Sequence, residues 1–178
     1  MLKKILIALG VVIVAFLAYA ATRPDSYTVQ REAVISAPAA VVFDQLDDFR
    51  SFAQWSPWEK LDPNMTKAFS GPESGVGASY AWQGNDQVGK GRMTIEESVP
   101  GRKVGINLEF VKPMASTATC ALTLAATPAG SIVTWSMDGN HNFMGKAFGM
   151  FVDMDNMLGT DIEKGLARLK TAAEGTKK

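Results

Sequence analysis

The sequence is poor in the residues that most metal sites and nucleophilic active sites use. Among its 178 residues are one cysteine, Cys120, and one histidine, His141. A single cysteine rules out an internal disulfide, and one cysteine with one histidine cannot supply the ligands of a structural zinc site. We therefore expect no metal and no cofactor, and we assign no catalytic residue. The scarcity of such residues favours a protein that is not an enzyme, but it does not decide the question.

The chain also lacks an excess of charge of either sign. Its 18 lysine and arginine residues balance 18 aspartate and glutamate residues, and 47% of the chain is hydrophobic. Nucleic-acid binding normally requires a basic surface, so we do not expect a nucleic-acid partner. The composition is typical of a folded domain. The length allows one domain large enough to enclose a core.

The longest continuously apolar stretch is near the N-terminus, in residues 5–21, after Lys3 and Lys4, and it carries no charge. At 1.5 Å per residue it nearly crosses a hydrocarbon layer of about 30 Å. The lysines favour a cytoplasmic N-terminus, with the rest of the chain on the outer, periplasmic or extracellular, side. We predict a single-pass anchor in residues 1–24 that contacts the membrane through residues 5–22.

A cleaved signal peptide is the alternative for this segment. Ala18-Tyr19-Ala20 has the small-x-small form that signal peptidases recognise. Cleavage there would leave a secreted domain without an anchor. The apolar stretch is long for a signal peptide, which favours the anchor.

The rest of the chain predicts an α+β domain in residues 25–174, followed by a tail in residues 175–178. A strand over 25–35 precedes a helix that we expect to be capped by Ser36, with Pro38 in its first turn. From about residue 66 the hydrophobic period changes to two, which is typical of consecutive antiparallel strands with one buried face. An apolar stripe predicts a final long helix that begins at Asn142.

Strand, helix, aromatic turn, consecutive strands and closing helix together resemble the helix-grip fold of the SRPBCC superfamily. That group includes birch-pollen-allergen-like proteins, START lipid-transfer domains and a polyketide cyclase/dehydrase branch. The resemblance is greatest to the last branch and spans about residues 27–172. It is carried by Ser36–Phe43, Trp55–Lys60, Gly71–Gly77, Val133–Met137 and Asp153–Met157. It implies a curved antiparallel sheet wrapped around a long C-terminal helix, with a hydrophobic cavity between them. It does not imply one activity.

The large apolar side chains of this arrangement are candidates for cavity lining or for core. A filled core and a lined pocket have the same composition, so the sequence leaves both open. The candidates are Trp55, Trp58, Tyr80, Trp82, Met93, Phe110, Trp135, Phe151 and Met154. Polar candidates that would orient a ligand are Glu59, Asp138 and His141, together with the Tyr80 hydroxyl. His141 is more simply an exposed turn residue than an acid or base, because no partner for it is evident.

Three functions fit these features. The first is a membrane-tethered domain that binds or carries a hydrophobic small molecule or lipid. The second is a polyketide cyclase- or dehydratase-like enzyme that uses the same cavity. The third is a non-catalytic envelope interaction module with a filled core. The oligomeric state and the ligand are not determined by the sequence.

Overall fold

The chain begins with one long apolar helix. The computed structural model describes residues 1–140, 145–146, 149 and 153–175. Helix α1 (Leu2–Ala21) has a mean hydropathy of 2.4, and Ala20 is its buried residue. It is the one helix in the described residues that is long and apolar enough to cross a membrane. Its length and composition suit an anchor or a signal sequence.

Seven strands form a single antiparallel sheet. They are β1 (Ser26–Ile35), β2 (Thr66–Ser70), β3 (Ser79–Gln83), β4 (Lys90–Val99), β5 (Lys103–Lys112), β6 (Ser116–Thr127) and β7 (Gly130–Asn140). The order across the sheet is β1-β7-β6-β5-β4-β3-β2. The strands β2 to β7 are thus sequential neighbours, and β1 pairs with the last strand. This confirms the predicted antiparallel sheet.

The alternation of apolar and polar residues in the sequence corresponds to one buried and one more exposed face of the sheet. In β7, Val133, Trp135 and Met137 are buried, while the residues between them are partly exposed. The pairing of β4 with β5 shifts register near Gly91 and again near Glu97. Such irregularities bend and twist a strand, and so they contribute to the curvature of the sheet.

Two short helices and a 3-10 turn link β1 to β2. They are α2 (Ala39–Leu46), α3 (Phe49–Trp55) and the turn Trp58–Lys60. The prediction that Ser36 caps α2 is wrong, since the N-cap is Pro38 and carries no side-chain cap. The Ser36 backbone N–H instead donates to Glu174 Oε1 over 2.7 Å, so this segment is tied to the closing helix.

The closing helix, α4 (Met154–Gly175), packs against β1, β7, α2 and α3. Its buried side includes Ile162, Leu166 and Leu169, at the spacing of one helical face. The predicted start of this helix at Asn142 lies outside the described residues. The arrangement confirms the helix-grip α+β fold.

At Gly165, helix α4 comes very close to the sheet. A Cβ atom at this position would lie 2.7 Å from Cζ3 of Trp135 and 3.2 Å from Cδ of Pro57. Both neighbours belong to the buried interior. Glycine is required here for packing, although it is a weaker helix former than alanine by about 1 kcal/mol.

An ion-pair cluster holds the same helix to β1. The guanidinium of Arg31 donates to both carboxylate oxygens of Asp155, over 2.9 and 3.0 Å, and to Glu163 over 2.8 Å. The Arg31 hydrogen bonds lower the pKa of Asp155. Gly159 makes room for this arrangement, because a Cβ there would lie 2.1 Å from Arg31 Nη2.

The Gly165→Ala variant is expected to be destabilised by about 1–3 kcal/mol, because the added methyl overpacks the contact with Trp135. The measurement is urea denaturation of the full chain in a nonionic detergent, followed by tryptophan fluorescence. Gly175→Ala is the matched control, since a Cβ there meets nothing within 4 Å. Equal stability of the two variants would show that α4 has room to move away from the sheet.

Candidate functional site

A cavity lies between the concave face of the sheet, the 3-10 turn and α4. Its volume is about 200 Å³. The surrounding side chains are mostly apolar and come from α3, the 3-10 turn, four strands, the β3–β4 hairpin and α4. They are Phe52, Ser56, Trp58, Glu59, Met65, Tyr80, Trp82, Gln87, Val88, Met93, Leu108, Phe110, Met137 and Leu158. An apolar recess with few polar groups is the usual form of a small-molecule site.

One wall of the cavity depends on a glycine in β4. A Cβ at Gly91 would lie 2.4 Å from Cζ2 of Trp82, so the indole ring rests directly on the backbone there. The ring meets Phe110 edge-on at 5.9 Å between centroids. Its N–H donates to the Val88 carbonyl over 2.9 Å. Three contacts therefore hold the Trp82 ring in place, and the wall that it forms is rigid.

A carboxylate and a phenol form the polar part of the cavity wall. The Tyr80 hydroxyl on β3 donates to Glu59 Oε1 over 2.5 Å. The second oxygen, Glu59 Oε2, forms an ion pair with Lys67 of the neighbouring edge strand β2. The Glu59 side chain is only 9% exposed, whereas that of Lys67 is 35% exposed. The carboxylate is thus held inside the wall by two donors.

The environment of Tyr80 keeps its hydroxyl protonated. Burial raises the pKa of Tyr80, and the hydrogen bond to the Glu59 carboxylate raises it further. Both effects disfavour a phenolate, because it would be poorly solvated and would face another negative charge. At neutral pH Tyr80 is therefore a hydrogen-bond donor to Glu59 and not a base.

A buried aspartate holds the β3–β4 hairpin over the cavity. The carboxylate of Asp62 accepts a hydrogen bond from the backbone N–H of Asn85 over 2.7 Å and from that of Asn64 over 3.0 Å. A Cβ at Gly84 would lie 2.6 Å from Asp62 Oδ2, so glycine permits this approach. Asp62 thus fixes the hairpin that contributes Gln87 and Val88 to the cavity.

A family described as "Polyketide cyclase / dehydrase and lipid transport" matches residues 26–174. The chain belongs to this family. Its membership supports the binding of hydrophobic ligands in general. No curated protein sequence matches the chain.

Solved structures of several proteins share the fold at low sequence identity. The protein MLL2253 from Mesorhizobium loti is 15% identical, with 85% of this chain and 100% of that chain covered and a TM-score of 0.62. Ara h 8.0201 is 13% identical, with coverages of 84% and 96% and a TM-score of 0.55. The di-domain ARO/CYC StfQ from the steffimycin biosynthetic pathway is 10% identical, with coverages of 84% and 51% and a TM-score of 0.60. At these identities the likeness concerns the fold alone.

Within this family fold, five of the predicted aromatic and methionine residues line the cavity together with Glu59. They are Trp58, Tyr80, Trp82, Met93 and Phe110. Their contact with a ligand remains a prediction.

The other candidates lie elsewhere. Trp55 and Trp135 are buried in the solid core, with their rings edge-on at 5.6 Å. Met154 is the first residue of α4 and does not line the cavity. Asp138 is exposed beside Thr28, whose hydroxyl donates to it over 2.5 Å. It follows the inward-facing Met137 in β7, so it lies on the opposite face of the sheet from the cavity. His141 and Phe151 lie outside the described residues.

Several cavity residues were not singled out in the sequence. Leu108 and Met137 belong to inward faces that the alternation predicts, but the alternation does not say which inward positions border a space. Leu158 belongs to the predicted apolar stripe of α4. Gln87 and Val88 lie in a hairpin loop, where no periodic pattern exists, and the signal that could have found this region is the turn sequence Gly84-Asn85-Asp86.

The single cysteine of this family member is buried in the core. Cys120 is 5% exposed, and its Sγ accepts a hydrogen bond from the indole N–H of Trp135 over 2.9 Å. Burial raises the pKa of the thiol to about 12, although the bond from Trp135 acts in the opposite direction. The residue is a small apolar part of the core.

We expect Cys120 in the folded protein to resist thiol reagents at pH 8. Its pKa of about 12 leaves very little thiolate at that pH, and the side chain is not accessible. Reaction of the full chain with Ellman's reagent measures this, and denaturation in urea should restore reaction of one thiol. Cys120→Ser provides the blank. Rapid labelling of the native protein would contradict the placement of this residue.

Proposed function

We propose that the protein is a membrane-tethered domain that binds or carries a hydrophobic small molecule or lipid in the cavity. The observation that carries the proposal is the cavity of about 200 Å³, whose described wall is apolar except at Ser56, Glu59, Gln87 and the Tyr80 hydroxyl. Membership in a family that includes lipid transport supports it.

The energetics of apolar burial favour such a ligand. Each methylene group removed from water contributes about 0.8 kcal/mol. A chain of about ten carbons therefore gains on the order of 8 kcal/mol relative to water, before the cost of immobilisation is subtracted. The aromatic wall adds flat, rigid surface that loses little entropy on binding. Useful affinity does not require many polar contacts.

The anchor would keep the domain beside a source of lipophilic ligands. We infer that α1 is retained and spans the membrane, with Lys3 and Lys4 in the cytoplasm and residues 25–174 as the domain on the outer side. The absence of charge from residue 5 to residue 22 supports insertion. Of the predicted tail, Gly175 is the last residue of α4, and residues 176–178 lie outside the described part of the chain.

Binding is better supported than catalysis. A cyclase or dehydratase would need a group that moves a proton at the cavity, and the Glu59–Tyr80 pair is the candidate among the described residues. Tyr80 is a poor acid because its pKa is raised. Its hydroxyl proton is already donated to the Glu59 carboxylate. The pair is therefore suited to orienting a ligand.

A Leu158→Trp variant is expected to lose ligand binding, because the larger ring would fill the cavity from α4. The full chain is reconstituted in lipid nanodiscs and irradiated with a neutral ten-carbon hydrocarbon that carries an alkyl diazirine. Mass spectrometry then measures labelling of peptides from β4 and β5. We expect at least a fivefold loss of this labelling relative to the unaltered protein.

The adjacent Met157→Trp is the matched control, since Met157 is 47% exposed and does not line the cavity. Labelling of α1 reports how much probe enters the bilayer and normalises all samples. Absence of cavity labelling in the unaltered protein would refute the binding function and favour the interaction module with a filled core. Equal labelling of both tryptophan variants would place the ligand elsewhere.

Retention of the anchor predicts that the mature protein keeps residues 1–24. Produced in a Gram-negative bacterium, the full chain should resist extraction from membranes by alkaline carbonate. Its domain should be digested by protease in spheroplasts but not in intact cells. Intact-mass measurement should show an uncleaved N-terminal segment. A chain that begins after Ala20 would instead identify the segment as a signal peptide.

A further inference from the structure

We propose that the cavity selects ligands with a neutral, hydroxyl-bearing head over ligands with an anionic head, through the cluster formed by Glu59 and Tyr80 in its wall and Lys67 on the adjoining edge strand. This inference rests on the proposed binding function and concerns the chemistry of the ligand. The inference follows from two observations. One is the charge that borders the cavity, and the other is the hydrogen-bond acceptor capacity that remains on the Tyr80 oxygen.

The described cavity wall carries one carboxylate and no basic side chain. Glu59 is the only aspartate or glutamate among the described residues that line the cavity, and no lysine, arginine or histidine is found among them. An anionic head in the cavity would therefore lie near a like charge in a poorly solvated space. Such a charge pair is much more unfavourable there than in water.

Lys67 does not reverse this preference. It lies on the edge strand β2, outside the residues that line the cavity, and its charge is paired with Glu59. An anion that used Lys67 would have to compete with a carboxylate already in place. Because Glu59 borders the cavity and Lys67 does not, an anionic head would meet the negative end of this ion pair, whereas a neutral head meets no such repulsion.

The hydrogen bonds specify the kind of neutral head. Tyr80 has one hydroxyl proton, and it is donated to Glu59, so the lone pairs of the Tyr80 oxygen remain as acceptors. A ligand must therefore bring a donor to this point. An alcohol satisfies the requirement, whereas an ether of the same length does not. The raised pKa of Tyr80 agrees with a proton that stays on its oxygen.

Three competitors of equal chain length test the inference in the photolabelling assay. They are 1-decanol, decyl methyl ether and decane-1-sulfonate, each compared at equal mole fraction in the nanodisc lipid. We expect 1-decanol to reduce labelling of the β4 and β5 peptides at about tenfold lower mole fraction than the sulfonate. It should also act at several-fold lower mole fraction than the ether. This comparison requires no variant, so it stands even if a variant misfolds.

Glu59→Gln is expected to improve competition by decane-1-sulfonate about tenfold, because it removes the negative charge and leaves that of Lys67 uncompensated. Glu97→Gln is the matched control. Glu97 also pairs with a lysine, over 2.7 Å to Lys103, but it does not line the cavity. The control should keep the same order of competitors as the unaltered protein.

The outcomes separate this inference from the binding function. If no cavity peptide is labelled in any sample, the proposed function itself is refuted. If labelling occurs and the three competitors are equally effective, binding stands and the selection by head group is overturned. If the alcohol is preferred but Glu59→Gln leaves the sulfonate as weak as before, the assignment of the selection to Glu59 is overturned.

Discussion

The contact between α4 and the Trp135 ring sets the distance between the helix and the sheet. No side-chain atom separates them at Gly165, where even a methyl group would lie 2.7 Å from the ring. Six residues earlier, about 9 Å along the helix, Gly159 lets Arg31 reach Asp155 and Glu163. These two glycines allow helix and sheet to meet at two points. Leu158, next to Gly159, is thereby held at the border of the cavity.

From this contact the interior divides into a solid end and a hollow end. At the solid end Trp55, Phe52 and Trp135 meet edge-on, with centroid distances between 4.7 and 6.3 Å. Phe52 and Trp58 belong to both parts, because each packs on Trp135, at 6.3 and 5.8 Å, and also lines the cavity. The aromatic cluster gives the fold a rigid support, so the neighbouring space does not need to be filled for the fold to hold.

The polar groups of the hollow end come from segments that are distant along the chain. Glu59 lies in the turn after α3, Tyr80 in β3, and Lys67 on the edge strand β2. Their hydrogen bonds satisfy a carboxylate that is only 9% exposed, which would otherwise be costly to bury. The same bonds leave the lone pairs of the Tyr80 oxygen as acceptors. In the proposed function, this site would orient a largely apolar ligand beside the membrane to which α1 would tether the domain.

Local patterns in the sequence determined much of the architecture. The uncharged segment predicted α1, because a membrane-spanning helix is a matter of length and apolar content. The period of two predicted the sheet, since alternate side chains of a strand face opposite sides. The same alternation placed Tyr80, Trp82, Met93 and Phe110 on apolar strand faces, as candidates for cavity lining or core. Local patterns did not place the cap of α2 correctly, because Ser36 instead bonds to Glu174, more than a hundred residues away.

Only the tertiary structure decided which inward side chains pack solidly and which border a space. Trp135 and Met137 share a face of β7, yet one lies in the core and the other lines the cavity. The ion pair of Glu59 with Lys67 on β2 depends in the same way on contacts between distant segments, and so does the position of Val88 in the β3–β4 hairpin. Periodicity in the sequence shows which face of the sheet a side chain lies on. The distance from that side chain to α4 depends on how the helices pack against the sheet.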